Sequence, residues 1–244
     1  MSIRVLNLQC NSLSSPGIVG ERVVARGGSV KTLFPFEGDA IPTDCDDFDA
    51  LVIPGGAMSV SDEKHATVFN PMGELVRSFH AGGRPILGLC LGAQVVAYAF
   101  GKPVYRCHEL QFGFKRLDAQ PAARQDPLLG DVDFPVFVFN WHEDTFDLPD
   151  DAVHLMHADA VTNHTYRLGD STYGFQCHFE VTRPMLKSWL QRGGHLVEKN
   201  LGEKGRLQFE VIGEAMERHL DGAMRFAHHI SERWVELVKS RCRR

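Results

Sequence analysis

Pro85-Ile86-Leu87-Gly88-Leu89-Cys90-Leu91-Gly92-Ala93-Gln94-Val95-Val96-Ala97-Tyr98-Ala99 is the stretch whose reading decides the fold. An apolar run, Pro85 to Leu87, leads into Gly88-Leu89-Cys90-Leu91-Gly92, and a helix-like run follows from Val95. A strand that turns sharply into a helix around one cysteine needs small residues two positions either side, because the backbone there is cramped. The G-x-S-x-G elbow of hydrolases obeys the same logic. Cys90 is therefore expected at the end of a strand, with the positive N-terminus of the next helix aimed at its sulfur. That field favours thiolate, the nucleophilic form.

Outward from this elbow, short β-branched runs alternate with helical ones. Ile3 to Leu8 reads as a strand, Ile18 to Ala25 as a helix stopped by Gly27-Gly28, and Val30 to Leu33 and Ala50 to Ile53 as strands. The last of these runs into Pro54-Gly55-Gly56, and a helix from Pro71 to Ala81 stops at Gly82-Gly83 before the Cys90 strand. Such alternation predicts an α/β fold, a mostly parallel sheet flanked by helices. From Val104 to Phe179 the texture changes to strands with little helix: Val104 to Arg106, Phe112 to Leu117, Val136 to Phe139, Val153 to His157 and Tyr173 to Phe179. This reads as a small antiparallel β insert before the final core strand. Between Arg206 and Lys239 there is no proline, and Phe226, Ile230, Trp234, Leu237 and Val238 recur at helical spacing. A C-terminal helical extension follows, expected as two helices broken near Gly222.

Composition narrows the functional classes. The 244 residues are 43% hydrophobic and 23% charged with a net charge of −5, ordinary for a soluble globular chain. No long basic run is present, which argues against nucleic acid as a partner. No apolar run approaches membrane-spanning length, so no membrane association is expected, and cytoplasm is the expected compartment. The six cysteines, Cys10, Cys45, Cys90, Cys107, Cys177 and Cys242, contain no C-x-x-C pair, as expected of reduced thiols rather than a zinc site. No G-x-x-x-x-G-K-[ST] phosphate loop occurs, and no cofactor or metal is expected.

A second chemical constellation lies at Gly174-Phe175-Gln176-Cys177-His178-Phe179-Glu180. Read as a strand, it puts Gln176, His178 and Glu180 on one face and Phe175, Cys177 and Phe179 on the other. A histidine with a carboxylate two residues on is the base and orienter that a cysteine nucleophile requires. His142 is a rival base, ranked below His178.

These residues resemble the class I glutamine amidotransferases. Gly88, Cys90, Gly92 and Gln94 match the pattern G-x-C-x-G-x-Q, Pro54-Gly55-Gly56 matches the family's glycine turn, and Gln176, His178 and Glu180 match its Q-x-H-x-E. Phe112-Gly113-Phe114 and Trp141-His142-Glu143-Asp144-Thr145-Phe146 are similar to the glutaminase half of GMP synthase. Phe179 departs from the proline, and Cys177 from the phenylalanine, that many relatives carry. The resemblance implies a flavodoxin-like amidotransferase domain over residues 1–200, with residues 201–244 as a helical extension packed on it. It implies a Cys90-His178-Glu180 triad cleaving the γ-glutamyl amide of glutamine, or of a related γ-glutamyl compound, through a thioester. Backbone N–H groups of Gly56 and Leu91 are expected as the oxyanion hole, at about 3 kcal/mol per donor. Substrate contacts are expected from Gly55, Gln94, Trp141, His142 and Glu143.

Three readings stay open. In one, the chain is an amidotransferase subunit delivering ammonia to a separate synthetase partner. In another, it is a γ-glutamyl peptidase acting alone. The third makes it a non-catalytic regulatory or binding subunit. The helical extension is expected to pack on its own domain or to form a homodimer or partner surface.

Overall fold

A computed structural model describes residues 2–242 of the chain. Its spine is a nine-stranded mixed sheet, formed by β1 (Arg4–Leu8), β2 (Ser29–Leu33), β3 (Ala50–Ile53), β4 (Ile86–Leu89), β5 (Val104–Ala119), β6 (Val136–Phe146), β7 (Ala152–Ala158), β8 (Val161–Leu168) and β9 (Thr172–Phe175). The strands lie in the order β2-β1-β3-β4-β9-β8-β7-β5-β6. Pairing is parallel from β2 through β9 and antiparallel from β9 to the β6 edge. The antiparallel strands thus extend the parallel sheet rather than forming a separate one.

Strands β3, β4 and β9 are buried along their whole length, which is why they read as unbroken apolar or small-residue runs. On one face, α1 (Gly17–Ala25) contributes Ile18, Val19 and Val23 to a core shared with Val5, Leu87 and Phe175. On the other, α2 (Ala66–Ala81) and α3 (Leu91–Ala99) pack Phe69, Leu75, Val76, Val95 and Val96 against Leu6, Leu51 and Ile86. The helices α4 (Arg183–Leu201), α5 (Glu203–Glu210) and α6 (Ile212–Arg241) complete the chain. A third apolar cluster joins Leu186, Trp189 and Leu190 of α4, and Ile212, Met216 and Leu220 of α6, to Phe112 and Phe139 of the β5–β6 hairpin.

Several elements differ from the sequence reading. Helix α2 starts at Ala66, so Pro71 lies inside it rather than opening it. Helix α6 runs unbroken through Gly222, and the breaks in the tail fall at Gly202 and Val211 instead. A mid-helix glycine costs only about 1 kcal/mol relative to alanine. The buried stripe Met216, Leu220, Ala223, Phe226, Ala227, Ile230 and Trp234 on both sides of Gly222 outweighs that cost. Finally, β8 has no counterpart in the sequence reading, because its residues, VTNHTYRL, are too polar to stand out as a strand.

Register explains how the sheet builds a site. β4 and β9 are adjacent and parallel, with Gly88 opposite Gly174 and Leu89 opposite Phe175. Both strands therefore end at the same edge of the sheet. Cys90 follows one and Gln176 the other. Crevices beyond the carboxyl ends of parallel strands are where open α/β sheets bind ligands.

Candidate active site

Cys90 stands between β4 and α3 with φ +52° and ψ −105°. It is the only residue besides glycine with positive φ among the described residues. Such strain costs on the order of 1–3 kcal/mol and persists only where the surroundings enforce it. Here its N–H donates to the Phe175 carbonyl at 2.7 Å, and its carbonyl accepts from the Gln94 N–H at 3.2 Å. The flanking glycines are a steric necessity. A Cβ at Gly88 would lie 2.5 Å from the Gly92 carbonyl oxygen, and one at Gly92 would run into the Ile53 carbonyl. Gly92→Ala is accordingly expected to destabilise the fold by about 3 kcal/mol, the upper range for overpacking. A denaturant midpoint equal to wild type would contradict this account of the turn.

The Cys90 side chain is 4% exposed, and its thiol donates to the Trp141 carbonyl at 3.8 Å. Leu91 is the first residue of α3, so its N–H has no acceptor within the helix.

β9 ends at Phe175, so residues 176–180 form a turn rather than the continued strand expected from the sequence. The alternation survives because neighbouring strands pin the backbone. The Gln176 N–H donates to the His164 carbonyl, and the His178 N–H to the Phe139 carbonyl, each at 2.8 Å. Cys177 and Phe179 consequently enter the apolar core. His178, 5% exposed, donates from Nδ1 to Oε1 of the fully buried Glu180 at 2.9 Å. Burial works against a charged imidazole, but attraction and hydrogen bonding to Cys90 and Glu180 outweigh it and push the His178 pKa up to about 10. An imidazolium held between a sulfur and a carboxylate is the arrangement that keeps a cysteine activated.

The other expected residues fall in different places. Gly55 lies against the imidazole: a Cβ there would be 2.5 Å from His178 Cε1. At Gly56 a Cβ would be 2.5 Å from Leu91 Cδ2 and 3.1 Å from Cys10 Cβ. Gln94 Nε2 donates to the Asp144 carbonyl at 3.1 Å and to Gln176 Oε1 at 3.3 Å, which ties α3 to β6 and to the turn after β9. Trp141 presents its backbone to Cys90, while its ring packs edge-on against Phe112 at 5.1 Å. His142 is 5% exposed, its Nδ1 hydrogen-bonds the Asp144 carbonyl at 2.9 Å, and burial pushes its pKa down to about 3. A neutral imidazole without a carboxylate partner makes a poor rival to His178. Glu143 is ion-paired with Arg106 near the surface. Phe112 and Phe114, part of the segment that resembles the glutaminase half of GMP synthase, face the tail helices.

One neighbour escapes the sequence reading. Trp189 of α4 meets the His178 ring edge-on at 4.8 Å, and its indole N–H donates to the Leu13 carbonyl at 2.8 Å. A tryptophan in an amphipathic helix carries no local signal that it will close over an imidazole. Among the described residues no group of three or more His, Cys, Asp or Glu side chains is arranged to hold a metal ion, and no helix is long and apolar enough to cross a membrane.

The profile of the glutamine amidotransferase class-I family matches residues 21–193. Glutamine amidotransferase-like protein YfeJ of Salmonella typhimurium is 26% identical over 221 residues, spanning 86% of this chain and 92% of that protein. One of the subunits of the glutamine-hydrolyzing GMP synthase of Thermoplasma acidophilum is 26% identical over 162 residues, 66% of this chain and 76% of that one. Among solved structures, a glutamine amido transferase from Methylobacillus flagellatus superposes with a TM-score of 0.83 at 26% identity, over 97% of this chain and 95% of that chain. One from Thermotoga maritima, at 24% identity, shares the fold with a TM-score of 0.82 over 97% of this chain and 99% of that chain.

Proposed function

The chain belongs to the class I glutamine amidotransferase family, and from that membership we propose that it is a cysteine hydrolase of γ-glutamyl amides. The observation that carries the reading is the strained Cys90 at the head of α3, beside an imidazole held by a buried carboxylate. In this reading the Cys90 thiolate attacks the γ-carbonyl carbon of the substrate, and the carbonyl electron pair moves onto oxygen. Backbone N–H groups of Gly56 and Leu91 receive that oxyanion. As it collapses, His178 gives its proton to the departing nitrogen and a γ-glutamyl thioester remains. His178, now neutral, takes a proton from water, which attacks the thioester, expels the thiolate and releases glutamate. Glu180 orients the ring and stabilises its charge without exchanging protons. Gly55 flanks the imidazole, the Trp141 carbonyl faces the thiol, and Gln94 and His142 brace this wall through the Asp144 carbonyl. Of the expected substrate contacts, Glu143 has the weakest support, since Arg106 already occupies its carboxylate.

A self-contained hydrolase is favoured over a subunit feeding a synthetase. Helices α4 and α5 lie over the β5–β6 hairpin, with Gly193 against the Trp141 ring and Lys204 paired with Glu109. The hairpin that carries Trp141 is thus covered by the chain itself. Steady-state kinetics on the isolated chain, with glutamine and a panel of γ-glutamyl peptides, decides the matter. A kcat/KM of about 10⁴ M⁻¹s⁻¹ or more on one of the peptides, the low end of ordinary enzymes, is the expected result. Negligible turnover of every compound until a co-purifying partner is added would overturn independence. Negligible turnover under all conditions would remove the hydrolase reading.

A further inference from the structure

We infer that the side chain of Asn11 is a third donor to the oxyanion, beside the backbone N–H groups of Gly56 and Leu91. The inference rests on the reading of Cys90 as the nucleophile.

Asn11 lies just past β1, which runs parallel with β3 and thereby with β4, so it stands at the same edge of the sheet as Cys90. Its Oδ1 accepts two backbone N–H groups, from Leu13 at 2.8 Å and Ser14 at 3.1 Å. Two donors on one atom identify it as the amide oxygen and fix the plane of the amide. The NH₂ end must then face the other way. That nitrogen lies 3.6 Å from the point a Cβ on Gly56 would occupy. Its only polar contacts within the described chain are made through its oxygen and backbone, so both Nδ2 protons stay free of protein acceptors.

A donor that is oriented by its own loop, unused within the protein and set beside the glycine turn costs no reorganisation when charge develops. It gains most in the tetrahedral intermediate, where the substrate oxygen carries a full negative charge. A Cβ at Gly56 would press on Leu91 Cδ2 and Cys10 Cβ, while the Asn11 amide would stay at ordinary contact distance.

Asn11→Asp separates this role from a structural one. Aspartate keeps an oxygen for the Leu13 and Ser14 N–H groups, so the loop is retained, but it presents an acceptor where a donor is needed. Asn11→Ala removes both ends without adding charge. Both variants are expected to lose about 100-fold or more in kcat, with KM changed far less, as for removal of one side-chain oxyanion donor. Thermal unfolding of the Asp variant should match wild type. Alkylation of Cys90 by iodoacetamide, a displacement that forms no oxyanion, should proceed in the Ala variant at the wild-type rate. A kcat at the wild-type level in Asn11→Asp would overturn the inference. So would a loss of alkylation in Asn11→Ala that tracks the loss of kcat, because Asn11 would then only be holding the site together. A wild type that turns over no γ-glutamyl compound removes the glutaminase reading and this inference with it. A wild type that turns over, matched by Asn11→Asp, removes this inference alone.

Discussion

Cys90→Ala is expected to abolish glutamate release, a loss on the order of 10⁵-fold or more, because the covalent route itself disappears. The substitution keeps the Cβ that the positive φ at this position already accommodates, so the fold should survive and the loss is chemical. A glutamine-like electrophile such as a diazoketone analogue should label Cys90 and spare the other thiols. The structure supplies a reason for that selectivity. Burial pushes the Cys10 thiol up to about 12 and Cys107 up to about 11, and it raises Cys177 well above the ordinary thiol range, so none of the three offers a thiolate at neutral pH. Peptide mapping that found the label mainly on one of these would refute the assignment of the nucleophile.

The second large effect separates His178 from Glu180. His178→Ala removes the proton donor and the positive partner of the thiolate together, and should cost on the order of 10⁴-fold, the upper range for general acid–base catalysis. Glu180→Gln can still hydrogen-bond the ring but cannot stabilise its charge, so its loss should be smaller, about 10²-fold. The pH profile carries the sign. Glu180 is one of the groups that raise the His178 pKa, so removing its charge lowers that pKa from about 10. An alkaline limb set by His178 should therefore move to lower pH in Glu180→Gln, and the His178 ring signals in an NMR titration should move with it. Equal losses in the two variants, with both folded, would indicate that Glu180 itself exchanges protons.

The site is legible in the sequence to different degrees, and the difference follows sequence separation. Gly88, Cys90 and Gly92 announce their turn because their spacing is contiguous and a Cβ at Gly88 would meet the Gly92 backbone only four residues on. His178 and Glu180 announce themselves as a pair because two-residue spacing brings their side chains together even where the strand has ended. Asn11 and Trp189 are silent by the same test. Each acquires its place through partners far along the chain, Asn11 beside Gly56 and Trp189 against His178 and Leu13.

Sequence alone determined the α/β alternation, the elbow and the residues that could supply nucleophile, base and orienter, because periodicity, glycine stops and short spacings are properties of contiguous residues. Tertiary structure decided what those patterns leave open. It set the order of the strands, which brings the ends of β4 and β9 side by side, and it incorporated the polar strand β8 through its pairing with β7 and β9. It carried α6 through Gly222, since burial of the stripe around that glycine outweighs the glycine's own preference. It also turned the Trp141 ring and Phe112 towards the tail helices, leaving a backbone carbonyl to face Cys90. These outcomes depend on which surfaces meet across the sheet, and pairings between distant residues leave no trace in the local spacing of side chains.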